Sequence, residues 1–146
     1  MLRRVPTIAA LLVVQGAHDV TMGLGLCGTA AYLAAGGSGL PLEGLPAESR
    51  IAVVIFGPLL TLAGVLKITA GLRNHRYRGE RLGIAALASC VVSALVCYCT
   101  PFALTLMGFG LYVYTRPEAE RAFLMGRQGL SREWIRASVE SRRQGP

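Results

Sequence analysis

The chain holds 146 residues, 53% of them hydrophobic and 16% charged, with a formal net charge of +7. A soluble globular domain carries about 25% charged residues, so this balance speaks against one. The positive surplus does not point to nucleic acid either. The arginines lie in short segments that flank apolar runs, as membrane topology requires, and carry no nucleic-acid motif.

The charges are segregated along the chain. Between Val5 and Ala35 the only formal charge is Asp19, between Ile51 and Leu72 it is Lys67, and between Leu82 and Thr115 there is none. Continuous Leu/Ala/Val/Gly runs of this length suit helices crossing a bilayer core of about 30 Å. They do not alternate as the strands of a membrane barrel would. The expectation is an all-α polytopic protein: a transmembrane four-helix antiparallel bundle over residues 1–116, with a short amphipathic cytoplasmic tail helix in 117–146.

The first predicted span covers about 6–34. It is long for one crossing, so it tilts or projects from the membrane. Arg3 and Arg4 followed by Ile8–Val14 resemble the opening of a signal peptide, but Val14 and Gly16 suit a cleavage site poorly and apolar sequence continues beyond them. Within this span Gln15, His18 and Asp19 form the most informative group. A charge near the bilayer centre costs a few kcal/mol or more, so Asp19 needs a partner, a water cavity or protonation. Gln15, four residues earlier, shares its helical face.

The connection 36–50 is rich in Gly and Pro and reads as a flexible outer loop. The second span, about 51–72, contains Lys67, which either pairs with Asp19 inside the bundle or snorkels to the inner surface. A basic turn follows at 73–81. The third span, about 82–99, and the fourth, about 102–115, are joined at Thr100-Pro101, which reads as a tight hairpin because proline has no backbone donor. At 14 residues the fourth covers only about 21 Å. That implies local thinning, snorkelling of Arg116, or a re-entrant hairpin, which would leave the tail on the same side. In the tail, Thr115 is a candidate cap for a first helix and Ser131 for a second. Arg132, Trp134, Ile135 and Arg136 then suit a helix lying at an anionic inner leaflet, with a protein partner as the alternative cover. The chain after Ser141 is expected to be disordered.

Charge decides the orientation. The N-terminal flank carries Arg3 and Arg4. The 36–50 connection sets Arg50 against Glu43 and Glu48. The 73–81 turn has four arginines against Glu80, and the tail has seven against four glutamates. Basic segments stay cytoplasmic, which places both termini inside, in a cell (inner) membrane.

Small residues recur every seven positions: Ala9, Gly16, Gly23 and Ala30 in the first span; Gly57, Gly64 and Gly71 in the second; Gly83, Cys90 and Cys97 beside Ala86, Ser93 and Thr100 in the third; Ala103 and Gly110 in the fourth. In lipid, helices associate by close backbone approach, which small side chains permit. A seven-residue repeat favours left-handed crossings. With the first two stripes antiparallel, Gly16 meets Gly64, and Asp19 lies about 9 Å along the axis from the level of Lys67, a gap two side chains can bridge.

No catalytic or nucleotide-binding motif stands out, and no cofactor or metal is expected. The cysteines lie within predicted spans and read as small apolar residues. The expectation is a small integral membrane protein that is not an enzyme: an accessory, scaffold or assembly component, forming a homo-oligomer or joining other membrane subunits. The alternative is a small proton- or cation-coupled transporter or channel using His18, Asp19 and Lys67.

Overall fold

A computed structural model describes the backbone of residues 4–36, 46–96 and 100–143; within its helices the side chains of 47, 48, 136 and 139–143 are not described. All regular structure among the described residues is α-helix: α1 (Arg4–Ala34), α2 (Ala47–Asn74), α3 (Glu80–Ala88), α4 (Cys90–Leu95), α5 (Thr100–Tyr114), α6 (Pro117–Arg127) and α7 (Arg132–Arg143). Two of them, α1 and the Ser49–Asn74 stretch of α2, are long and apolar enough to cross a membrane.

The pair α1–α2 is antiparallel and joined along its small-residue stripes. A Cβ placed on Gly16 would lie 2.6 Å from the Gly64 carbonyl oxygen, and one on Gly64 would lie 2.6 Å from the Gly16 oxygen. One stripe position further on each side, Gly71 faces Ala9, where a Cβ would meet the Ala9 oxygen at 2.5 Å, and Gly57 faces Gly23 and Cys27. Real Cβ atoms do not come so close to backbone oxygen, so glycine is what allows these two backbones to touch. Ala30 lies half-buried beyond the last of these contacts, and Cys97 is outside the described residues.

The third apolar segment is not one continuous helix. It divides at Ser89, whose hydroxyl donates to the Ala86 carbonyl at 2.7 Å, while Val92 N donates to the Ser89 carbonyl three residues back at 3.0 Å. A serine that bonds back to its own helix competes with the regular ladder, and the chain passes through a tighter turn before α4. At about 1.5 Å per residue, 80–95 and the 15-residue α5 each rise only about 22–24 Å, against about 46 Å for α1. Instead of turning sharply at Thr100-Pro101, α5 begins there, with Pro101 in a first turn that needs no donor, and Thr100 Oγ1 donates to the Ala94 carbonyl at 3.1 Å. Gly83 and Gly110 make room for neighbours: a Cβ on Gly83 would run into Asn74 and Tyr114, and one on Gly110 into Leu87.

The short hairpin packs against the half of the α1–α2 pair that carries Val5, Ile8, Leu12 and Ala70, and the core lies there. The last buried residue of α1 is Gly23. Beyond it the large apolar side chains of Leu24, Tyr32, Ile51, Val54 and Ile55 are exposed.

The tail corrects the sequence reading in three places. Thr115 does not cap α6; its hydroxyl donates back to Leu111 at 2.9 Å, and Arg116 takes the cap position with Pro117 as the first helical residue. Helix α7 runs on to Arg143, past the point where disorder was expected. Ile135 is not on a lipid-facing surface: it is fully buried in the protein core, whereas Trp134 is 54% exposed. The reason is that α6 and α7 fold back over the 75–79 turn. Ala119, Ala122, Phe123 and Gly126 form the buried face of α6. Phe123 packs edge-on against Tyr77 and Tyr114, with ring centroids 6.3 and 5.3 Å away. Ser131 accepts from Trp134 N at 3.3 Å and so caps α7.

That turn is strained. Tyr77 has φ 55°, an unusual value for a residue with a side chain, yet it is completely buried. Its carbonyl lies against Gly126, where a Cβ would collide with it. Asn74 holds the other side: in the amide orientation that satisfies both its ends, its nitrogen donates to the Arg78 and Gly79 carbonyls at 3.0 and 2.9 Å. Its oxygen then faces the Tyr114 hydroxyl, 3.3 Å away.

Candidate functional site

Three helices meet at one buried ionic centre. From α1 come Gln15 and Asp19, one turn apart on the inward face; from α2 comes Lys67, between Gly64 and Gly71; from α4 come Ser93 and, one turn before it, Cys90. The Lys67 Nζ is 2.5 Å from Asp19 Oδ2 and donates to Ser93 Oγ at 2.6 Å. Ser93 Oγ in turn donates to Asp19 Oδ2 at 2.8 Å, and Gln15 Nε2 donates to Asp19 Oδ1 at 3.1 Å. The Cys90 thiol lies buried one turn away and donates back to the Ala86 carbonyl at 3.8 Å.

The centre is closed. Asp19, Lys67 and Ser93 are 0% exposed and Gln15 is 2% exposed, so none of these groups faces solvent. The charges answer each other internally: of the three donors of an ammonium group, two go to Asp19 and Ser93. One positive and one negative charge leave the cluster neutral. Buried ions are tolerated when paired and further hydrogen-bonded, and both conditions hold.

The structure joins Gln15, Asp19 and Lys67, and it separates His18 from them. His18 is exposed on the outer side of α1. Successive residues on a helix are turned by about 100°, so the inward position of Asp19 carries its neighbour away. Lys67 does not reach for the inner surface. Sequence reasoning missed the part played by Ser93 as a ligand of both charges. The available signal was its place in the Ala86–Ser93–Thr100 row, where a hydroxyl stands in a stripe of small residues. Of the residues assigned to the membrane surface, Arg132 contacts His75, Trp134 is exposed, Ile135 is in the core and the Arg136 side chain lies outside the described residues. Among the described residues no cluster of three His, Cys, Asp or Glu could hold a metal ion.

Fold and site together define an all-α chain with two helices able to cross a membrane and an internal salt bridge tying three helices together. Compared with known proteins, it matches no family model, no curated protein and no solved structure.

Proposed function

We propose that this chain is a small multi-pass protein of the inner membrane that serves as an accessory or scaffold within a membrane complex. In this reading α1 and α2 cross the bilayer, the α3–α5 hairpin enters from the cytoplasmic side, and both termini are cytoplasmic. The four apolar segments form an antiparallel bundle in lipid. The basic turn and tail support the orientation, and the exposed apolar side chains along α1, α2 and α5 are then covered by lipid or by neighbouring subunits.

The observation that carries the scaffold role is the sealed Asp19–Lys67–Ser93 centre. A transport path needs a charged group reachable from water, whereas these groups satisfy one another, and His18, the group's other titratable member, faces away. A buried pair of this kind fixes which helices meet and in what register.

The test is purification from native membranes in mild detergent after photo-crosslinking from Val54 and Leu62, both exposed in this structure. A scaffold gives the same membrane partner in fixed proportion from repeated preparations. A clean monomer without crosslinks rejects the role. Proton flux in liposomes that disappears in Asp19→Asn would establish transport in its place.

A further inference from the structure

The cytoplasmic end carries positive charge that its own acids do not neutralise. Arg73, Arg76, Arg78 and Arg81 are all exposed around the 73–81 turn. The one acid of that turn, Glu80, already accepts from Arg127 of α6 at 3.3 Å. The folded-back tail adds another arginine: Arg132 Nη1 lies 3.3 Å from His75 Nε2.

Arg132 is also where the hydrogen-bond inventory fails to close. Its Nε is the only buried side-chain nitrogen or oxygen among the described residues without a partner. Buried donors in folded proteins find partners, and exceptions call for an explanation such as an absent ligand. A guanidinium presents Nε and one terminal nitrogen as a parallel pair of donors, the fork that grips two oxygens of a phosphate or carboxylate. The contact with His75 uses Nη1, on the other side of the group, and Nε, one of the two donors of the fork edge, is left without an acceptor. Arg132 as a whole is only partly buried.

We propose that Arg132 and the exposed arginines of the 73–81 turn bind the phosphate of an anionic phospholipid of the inner leaflet. The source of the phosphate follows from depth, and so rests on the membrane reading above. Arg73 directly follows Leu72 at the end of the apolar run of α2, Arg116 lies two residues past the end of α5, and Trp134 is exposed in the first turns of α7, two residues after Arg132. Arginine next to tryptophan at the end of apolar helices marks the head-group layer, where lipid phosphate is the abundant oxyanion.

The test uses the full chain in a neutral detergent. Binding of short-chain phosphatidylglycerol, short-chain phosphatidylcholine and inorganic phosphate is followed by native mass spectrometry and by thermal stabilisation. The wild type should prefer phosphatidylglycerol to phosphatidylcholine, and Arg132→Gln should weaken that preference about tenfold, the scale of one hydrogen bond to a charged group. Arg121→Gln, on an exposed part of α6, should change it by less than about twofold. Arg132→Lys keeps the charge and loses the fork, so it should also bind more weakly, and it decides the matter if the glutamine variant does not fold. Equal preference in wild type and both variants overturns the site. Equal stabilisation by inorganic phosphate overturns the lipid as the ligand. A chain that needs no detergent at all overturns the membrane reading, a result distinct from either.

Discussion

Gly16 and Gly64 touch backbone to backbone, each occupying the space that a side chain on the other would need. The contact sets the separation of α1 and α2, and with it the reach between Asp19 and Lys67, which stand three residues away from this contact on their own helices. Alanine at either glycine should therefore act twice: it pushes the helices apart and stretches the ion pair. Overpacking of this kind costs about 1–3 kcal/mol. Thermal unfolding in detergent should show the loss for Gly16→Ala and Gly64→Ala. Gly25→Ala and Gly28→Ala, which have open space around them, should be neutral or mildly stabilising. Equal effects at all four positions would remove the close contact from the account.

The ion pair predicts strong non-additivity. Asp19→Asn or Lys67→Met alone leaves an uncompensated buried charge, an outcome worth about 3–5 kcal/mol. The double variant, with neither charge, should recover most of that loss. A double-mutant cycle on unfolding free energy is the measurement, and simple additivity of the two single effects would show that the charges do not depend on each other.

Ser93 should matter less than either charge but more than an ordinary buried hydroxyl, because it binds both. Ser93→Ala should cost about 1–3 kcal/mol, the scale of groups left without partners. Ser89→Ala, four residues before Ser93 and outside this network, should cost less than about 1 kcal/mol and should relax the break between α3 and α4. Comparing the two unfolding midpoints checks the assignment.

The tail should be released by one methyl group. A Cβ on Gly126 collides with the Tyr77 carbonyl, and α6 is the cover that holds Tyr77 in its strained conformation. Gly126→Ala should expose the tail to trypsin, with faster cleavage after Arg127 and Arg132 and little change in the stability of α1 and α2. Unaltered cleavage rates would mean that the tail is held elsewhere.

Orientation has its own check. In a chain without its native cysteines, single cysteines at Arg76 and Ser138 should react with an impermeant thiol reagent from the same side of sealed vesicles. Labelling from opposite sides would contradict the proposed topology.

Several of these relationships are readable in the residues themselves. Seven-residue spacing of glycine is enough to set Gly16 opposite Gly64, since two antiparallel helices with one small stripe each have few other ways to meet closely. The energetic demand of a lone carboxylate directs attention to Asp19, and Lys67 is the one cation in the neighbouring apolar run. Other features depend on three-dimensional context. His18 follows Asp19 in neither direction nor role, because adjacency along a helix is not adjacency in space. Ser93 looks like any small packing residue until two charges arrive beside it, and the break at Ser89 turns on which carbonyl one hydroxyl chooses. The tail is the clearest case. Spacing in Leu130, Trp134 and Ile135 shows that an apolar face exists, and lipid and protein satisfy such a face equally well. Only the position of Phe123 and Tyr77 reveals that Ile135 is covered by the chain's own core.

The salt bridge also bears on how the chain is made. Asp19 emerges from the ribosome before Lys67, which lies 48 residues later, and Ser93 comes later still. If α1 and α2 cross the bilayer as proposed, a nascent first helix would face hydrocarbon carrying a naked carboxylate. Once the second helix has been synthesised, the two can partition from the translocon together as a neutral hairpin. Insertion of α1 should accordingly improve when a truncated chain is lengthened from just before Lys67 to just beyond Asn74, as a glycosylation-tag assay of membrane integration would register.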